Sequence, residues 1–273
     1  MIRLIMITNA PVLARQAQRA GIERIFVDLE QIGKQERQGH LDTLISSHSM
    51  EDVIGIRRVL DSSELIVRIN PLHVESGQEI EKAIENGADI LMLPMFRKAA
   101  EVAEVCAKVD GRVSVMPLVE TIGAVDCLSE VVDLPGVSEI YIGLNDLHLE
   151  MGLKFMFEPL ADGLLDTMAV TIKRAGLPFG FGGLARVGEG SVPGELILAE
   201  HARLGSSSVI LSRTFMRQLA SEDEHAFMRE VRKLRSAYAQ SLRRNREQID
   251  NDRAQLVERV KDLVDTKANE TSV

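Results

Sequence analysis

Arg112-Val113-Ser114-Val115-Met116-Pro117-Leu118-Val119 runs into Glu120, and Glu139-Ile140-Tyr141-Ile142-Gly143 runs into Leu144-Asn145-Asp146. Each stretch is short, nearly all apolar, and closes on a carboxylate. Apolar runs of this length without polar alternation read as strands buried on both faces, the pattern of parallel sheets. Working outward, similar runs recur near residues 3–7, 24–28, 65–70, 90–94, 112–119, 139–143, 178–182 and 208–212. Amphipathic helical stretches separate them, such as Pro11 to Ala20 and Gly77 to Asn86. Ala20-Gly21, Asn86-Gly87 and Ala175-Gly176 put Gly where a helix C-terminus favours it. Eight strand–helix units predict an α/β fold, a (β/α)8 TIM barrel with a C-terminal helical extension. An open doubly wound sheet is the alternative, but no Gly-x-Gly-x-x-Gly follows the first strand.

The chain has 273 residues and is 45% hydrophobic, enough for one large barrel domain. A net charge of -9, 4% aromatics and no Trp argue against a nucleic-acid partner. Cys106 and Cys127 lie in helical segments with no Cys-x-x-Cys pair, as expected of reduced thiols. The apolar N-terminal run is strand-sized and meets Thr8-Asn9 at once, unlike a signal peptide. No apolar stretch approaches the roughly 20 residues of a membrane span, so a cytoplasmic protein without a membrane partner is expected. The barrel is assigned to residues 1–220 and the helical extension to 221–273. Ser221-Glu222-Asp223-Glu224 reads as a capping box opening the extension. Phe227, Val231, Leu234, Tyr238 and Leu242 then form one stripe on a long helix, continued by Leu256, Val257, Val260, Leu263 and Val264. That stripe packs either on its own barrel or on a neighbouring subunit.

Barrel active sites sit at the C-terminal ends of the strands. Neighbouring strand ends lie about 5 Å apart, so Glu120 and Asp146 would repel one another without a cation between them. Oxygen ligands favour Mg²⁺ or Mn²⁺; pairing with Arg or a helix N-terminus is the structural alternative. Gly143-Leu144-Asn145 reads as a tight turn whose N–H groups face an anionic substrate. Arg68 follows Leu65-Ile66-Val67, where an unpaired charge is costly. It either faces a substrate carboxylate or enolate oxygen, or forms a salt bridge, for example to Glu30. Asp28 and Glu30 end the second strand; one can orient Arg68 while the other bonds a water on the metal, or both simply support the site. His40 and His48 lie in the long Gln31–Ser63 segment, read as an extended loop over the barrel mouth. Each is an acid/base candidate or a solvated loop residue. His148 either joins the site or caps the segment after Asp146. Gly182-Gly183 and Gly188-Glu189-Gly190-Ser191 suit a phosphate site or plain tight turns.

Five motifs follow in family order: Val27-Asp28-Leu29-Glu30, Val67-Arg68-Ile69-Asn70, Gly87-Ala88-Asp89-Ile90-Leu91-Met92-Leu93-Pro94, Val119-Glu120-Thr121, and Ile142-Gly143-Leu144-Asn145-Asp146-Leu147 with Met151-Gly152 after it. Over about residues 3–216 the chain thereby resembles the 4-hydroxy-2-oxoheptanedioate aldolase and citrate lyase β-chain family (HpcH/HpaI). The resemblance implies a (β/α)8 barrel in which Glu120 and Asp146 bind Mg²⁺ or another divalent ion. It implies that Arg68 faces the substrate oxyanion and that Gly143, Leu144, Asn145 and Asp146 receive the keto-acid carboxylate. It also implies a homo-oligomer, a trimer or hexamer that exchanges C-terminal helices. One position departs: Gln31 stands where the aldolase branch has a histidine and citrate lyase-like members an acid. His48, His40, His148 or a water on the metal would then move the proton.

The expected activity is a metal-dependent, class II-type aldolase or lyase. It acts on a 2-keto acid and an aldehyde through a pyruvate-type enolate, with Arg68, Asp28, Glu30 and His48 as catalytic residues. A lyase acting on a 3-hydroxyacyl-CoA thioester is one alternative. It needs a basic rim, for which Arg97-Lys98 and Arg186 are the visible candidates. A non-catalytic binding barrel is the other.

Overall fold

In the computed structural model, which describes residues 1–33, 48–212, 215 and 224–270, eight strands close in sequence order into a parallel barrel. They are β1 (Arg3–Ile7), β2 (Arg24–Asp28), β3 (Glu64–Arg68), β4 (Ile90–Leu93), β5 (Ser114–Val119), β6 (Ile140–Ile142), β7 (Phe179–Leu184) and β8 (Ser208–Leu211). Three ends differ from expectation by two residues, the start of β5 and the ends of β3 and β7, the others by one at most; side chains account for the first two. Strand β5 starts at Ser114 because the Arg112 guanidinium turns away, to Glu81 at 2.6 and 2.7 Å and to the Val109 carbonyl at 2.9 Å. Strand β3 stops at Arg68, and the Asn70 N–H goes to the Glu79 carboxylate at 3.1 Å.

The chain forms two compact units, Leu4–Tyr141 and Met1–Arg3 with Ile142–Val273. In the first unit the registers are parallel, with Val27 beside Val67 and Asp28 beside Arg68. Ile25, Phe26, Val27, Leu65, Ile66, Val67, Leu91, Met92 and Leu93 are all buried. Both strand faces are covered, which is why polar alternation is missing; each such aliphatic side chain contributes about 1.5–3 kcal/mol. At the N-terminal end of β2, buried Arg24 bonds Glu64 at 2.8 Å and Glu139 at 2.7 Å. Charge at that end of a barrel serves stability.

The helices of this unit are α1 (Pro11–Arg19), α2 (Met50–Arg57), α3 (Ser76–Glu85), α4 (Ala99–Val109), α5 (Ile122–Asp126) and α6 (Leu128–Val131). Gly21 and Gly87 have φ of 87° and 91°, as their C-cap roles require. The segment read as one extended loop carries α2, whose start is tied by the Ser49 N–H to Asp52 Oδ2 at 2.8 Å. His40 lies outside the described residues.

The second unit holds β7, β8 and helices α7 (Leu144–Glu150), α8 (Glu158–Ala161), α9 (Leu164–Arg174), α10 (Gly194–Leu204), α11 (Glu224–Ser241) and α12 (Arg246–Glu270). The single long tail helix is thus corrected to two. Asn245 explains the break: its N–H donates to Gln248 Oε1 at 3.0 Å, and the Gln248 N–H donates to Asn245 Oδ1 at 2.9 Å. This reciprocal cap starts α12 afresh and leaves Leu242 57% exposed, off the stripe. Phe227, Val231, Leu234, Leu256 and Val260 are buried, with α11 and α12 packed on α10, and α12 also on α8. Arg253 adds bonds to Glu200 at 3.1 Å and to the Ala161 carbonyl at 2.9 Å. Part of the apolar stripe thus packs within the chain, while Val257 is exposed. The capping box read at Ser221–Glu224 falls largely outside the described residues. Among the described residues no helix is long and apolar enough to cross a membrane. Cys106 and Cys127 are free thiols.

Candidate functional site

The register that sets Asp28 beside Arg68 makes their pairing a consequence of strand alignment. Arg68 Nε donates to Asp28 Oδ1 and its Nη2 to Asp28 Oδ2, both at 2.8 Å. Glu30 Oε2 lies 3.3 Å from the same Nη2. Two parallel N–H bonds to one carboxylate fix the guanidinium plane. Asp28 is the last residue of β2, and its Oδ1 accepts the Glu30 N–H at 3.2 Å. The strand has therefore ended and turned, which lets both acids reach one guanidinium. Arg68 also sits 5.6 Å above the Phe26 ring. Burial alone would lower its pKa; Asp28, Glu30 and Glu120 outweigh that and hold it above the ordinary arginine value.

Glu120 follows directly on β5 and is 2% exposed, as are Asp28 and Glu30. Its Oε1 accepts the Met95 N–H at 3.1 Å. Met95, just past β4, has φ of 55°. That is left-handed backbone, which costs a non-glycine residue about 1 kcal/mol or more. The next residue's carbonyl, Phe96, accepts the Thr121 hydroxyl at 2.6 Å, and Thr121 Oγ1 accepts the Ala124 N–H at 3.0 Å. A Cβ on Gly123 would stand 2.7 Å from the Arg97 carbonyl oxygen. Consecutive residues of the loop after β4 thus dock on Glu120 and Thr121 just past β5 and on Gly123 in the first turn of α5.

Asp28, Glu30 and Glu120 thus gather three buried carboxylates around the Arg68 guanidinium. An oxygen-only donor set of this kind suits a hard divalent ion. Among the described residues no three His, Cys, Asp or Glu side chains form a ready cage. An ion held here would complete its shell with water and substrate oxygens. The residues present fit the divalent ion that the resemblance implies.

His48 Nδ1 accepts the Asp28 N–H at 3.0 Å. With Nδ1 accepting, the neutral ring carries its proton on Nε2. His48 also lines a cleft of about 300 Å³ with Gln31, Asn70, His73 and Glu79. Asn70 ties that cleft together: its Oδ1 accepts the Gln31 and Ile32 N–H groups at 2.8 and 3.0 Å, and its Nδ2 donates to Glu79 Oε1 at 2.8 Å.

In the second unit, the expected tight turn Gly143-Leu144-Asn145 is corrected to a helix start. Gly143 is the N-cap of α7, and Asp146 stands in its first turn, not at a strand end. Buried Leu144 and Leu147 anchor that turn. The first-turn N–H groups of Leu144, Asn145 and Asp146 have no carbonyl four residues back within the helix. His148 is buried, its Nδ1 3.2 Å from the Leu144 carbonyl, and burial pushes its pKa down. It is bonded into its own helix. The Gly188–Ser191 stretch is a tight turn: the Gly188 N–H bonds Glu195 at 2.8 Å, and a Cβ on Gly190 would meet the Val192 carbonyl at 2.9 Å. Arg186, read as a rim cation, is instead buried, 3.3 Å from the Phe215 carbonyl and over the Phe215 ring.

The sequence reading missed the Met95, Thr121 and Gly123 interlock and the Asn70–Glu79 bond. Thr121 before Ile122-Gly123-Ala124 carries a legible N-cap signal. Nothing local marks Met95.

Residues 3–158 match the family described as HpcH/HpaI aldolase/citrate lyase. The solved HpcH/HpaI aldolase from Desulfitobacterium hafniense shares the fold at 14% identity, with a TM-score of 0.61 over 81% of this chain and 92% of that one. The citrate lyase β subunit from M. tuberculosis, complexed with oxaloacetate and magnesium, does so at 17% identity, with a TM-score of 0.60 over 87% and 96%. A Mycobacterium tuberculosis CitE structure with magnesium, acetoacetate and coenzyme A is 17% identical, with a TM-score of 0.62 over 90% and 82%. No curated protein matches by sequence. The matched residues are more than half of the 273, and the chain belongs to the HpcH/HpaI aldolase/citrate lyase family.

Proposed function

We propose that the chain is a divalent-metal-dependent carbon–carbon lyase of class II aldolase type. It would cleave or form a bond of a 2-keto acid through a pyruvate-type enolate, with an aldehyde as the other reactant. The observation that carries this reading is the cluster of buried carboxylates, Asp28, Glu30 and Glu120, around Arg68 at the C-terminal ends of β2, β3 and β5. Glu120 would hold the ion, Mg²⁺ or else Mn²⁺. The resemblance implies Asp146 as a second oxygen ligand, and Gly143, Leu144 and Asn145 with it as the segment that receives the carboxylate. When bound, the ion supplies Lewis-acid polarisation of the keto acid.

The chain's own residues divide the remaining work. Arg68 puts positive charge where the enolate oxygen develops, and Asp28 holds its fork in place. Glu30, farther from the Arg68 guanidinium than Asp28 is, is the proton carrier. It takes the hydroxyl proton as the C–C bond breaks and the aldehyde forms, then returns it to the enolate carbon. His48 serves as a fixed hydrogen-bond donor through Nε2; with the Asp28 N–H on Nδ1, its neutral ring is not a proton shuttle. Gln31 therefore needs no histidine substitute. Homo-oligomerisation is proposed from the resemblance.

The test is deuterium exchange into the pyruvate methyl group, followed by proton NMR. Exchange is expected with Mg²⁺ or Mn²⁺, lost in Glu120→Gln and Asp146→Asn, and slowed about 10²-fold in Glu30→Gln. Absence of exchange with every divalent ion would sink the reading. A second reading, cleavage of a 3-hydroxyacyl-CoA thioester, is favoured by exposed Arg97 and Lys98 beside the Glu120 loop. Saturation by a CoA thioester but not by a free keto acid would reverse the order.

A further inference from the structure

We propose that Met95 is a positioning residue that sets how Glu120 offers its carboxylate, and thereby selects a small octahedral ion over Ca²⁺. This deepens the metal-dependent reading and rests on it. The Met95 N–H occupies Glu120 Oε1 at 3.1 Å. An oxygen already accepting an N–H has less charge to give a cation, so the carboxylate is biased toward ligating through one oxygen. Mg²⁺ takes single oxygens in a strict octahedron, whereas Ca²⁺ accepts more ligands, including two-toothed carboxylates; Mn²⁺ shares the octahedral oxygen preference.

The N–H reaches Glu120 with φ at 55°, a conformation that a methionine holds only when its surroundings enforce it. Two neighbouring loops supply those surroundings. Thr121 clasps the Phe96 carbonyl from one side and the start of α5 from the other. Gly123 leaves room for the Arg97 carbonyl, which a Cβ there would strike. The interlock fixes three successive residues of the β4–α4 loop against the β5–α5 loop and the first turn of α5. The direction of one N–H is thus built into the fold instead of being left to a mobile side chain.

The experiment is calorimetric titration of the full chain with Mn²⁺, Mg²⁺ and Ca²⁺, alongside circular dichroism and thermal unfolding. Wild type is expected to favour Mn²⁺ over Ca²⁺ by about tenfold or more. Met95→Val, which resists left-handed backbone, should narrow that ratio to about threefold or less, mainly by gaining Ca²⁺ affinity as Glu120 becomes free to ligate through both oxygens. Met95→Asn, which tolerates the conformation, should keep it. Thr121→Val frees the Phe96 carbonyl and should move the ratio the same way, which keeps the test open if Met95→Val does not fold. A folded Met95→Val with the wild-type ratio, altered only in thermal stability, would overturn the proposal. So would a wild type without preference between Mn²⁺ and Ca²⁺. A wild type that binds none of the three ions overturns the metal-dependent reading and this proposal with it, and that shows in the first titration.

Discussion

Arg68 ends β3 and is nearly enclosed in space. Its side chain is 13% exposed, and Asp28 and Glu30 have no bulk water to solvate them if it is removed. Breaking a buried pair from one side leaves the partner charge uncompensated. Arg68→Ala is therefore expected to lose about 3 kcal/mol in urea unfolding and about 10²-fold or more in kcat/KM. Arg68→Lys should restore part of the stability and little of the rate, because an ammonium cannot bond both oxygens of Asp28 in one plane. Wild-type stability in Arg68→Ala would mean that the two acids find another counter-charge.

At the scale of elements, the tail shows how a local signal can outweigh a periodic one. The stripe from Phe227 to Val264 has helical spacing throughout, yet Asn245 and Gln248 stop one helix and start another. Asn-x-x-Gln is a capping box readable in the sequence, and the long apolar stripe masked it. Asn245→Ala should cost about 1 kcal/mol and speed amide hydrogen exchange in the first turn of α12, while the last turn of α11 is unchanged. Unaltered exchange there would show that packing alone places the break. Arg203 reinforces the same region, bonding Glu200 at 2.7 Å and also Asp166, so α9, α10 and α12 share one charged cluster.

For the molecule as a whole, His201 sets a pH limit on stability. It is buried on α10, stacked 3.8 Å from the Phe181 ring, with Nδ1 2.8 Å from Ser206 Oγ. Its Nε2 has no hydrogen-bond partner among the described residues. Burial pushes its pKa down to about 3, from 6.5 in an open chain. The folded state thus prefers the neutral ring. The stabilisation is complete above pH 6.5 and is lost as pH falls toward 3, because only the unfolded chain takes up the proton. Between pH 6.5 and 4.5, wild type should lose about 2–3 kcal/mol more than His201→Phe. Parallel stability curves for the two would show that another group controls the acid limb.

What the sequence by itself determined is the part of the molecule written in short-range pattern. Run length and two-faced burial mark eight strands, Gly21 and Gly87 mark helix ends, and Asp28, Glu30, Arg68 and Glu120 stand at the ends of strands where barrels place their chemistry. These follow from steric preference and hydrophobic spacing, which act over a few residues. The partners of those groups were decided only by the tertiary structure. Asp28, not Glu30, takes the fork of Arg68 because the β2–β3 register aligns it. His48 spends Nδ1 on a strand N–H twenty residues away. Glu120 meets the N–H of Met95 because two loops interlock, while Asp146 becomes a helical residue because α7 starts at once after Gly143. A hydrogen bond depends on distance and angle between groups far apart in the chain, and those are set by how strands align and loops pack.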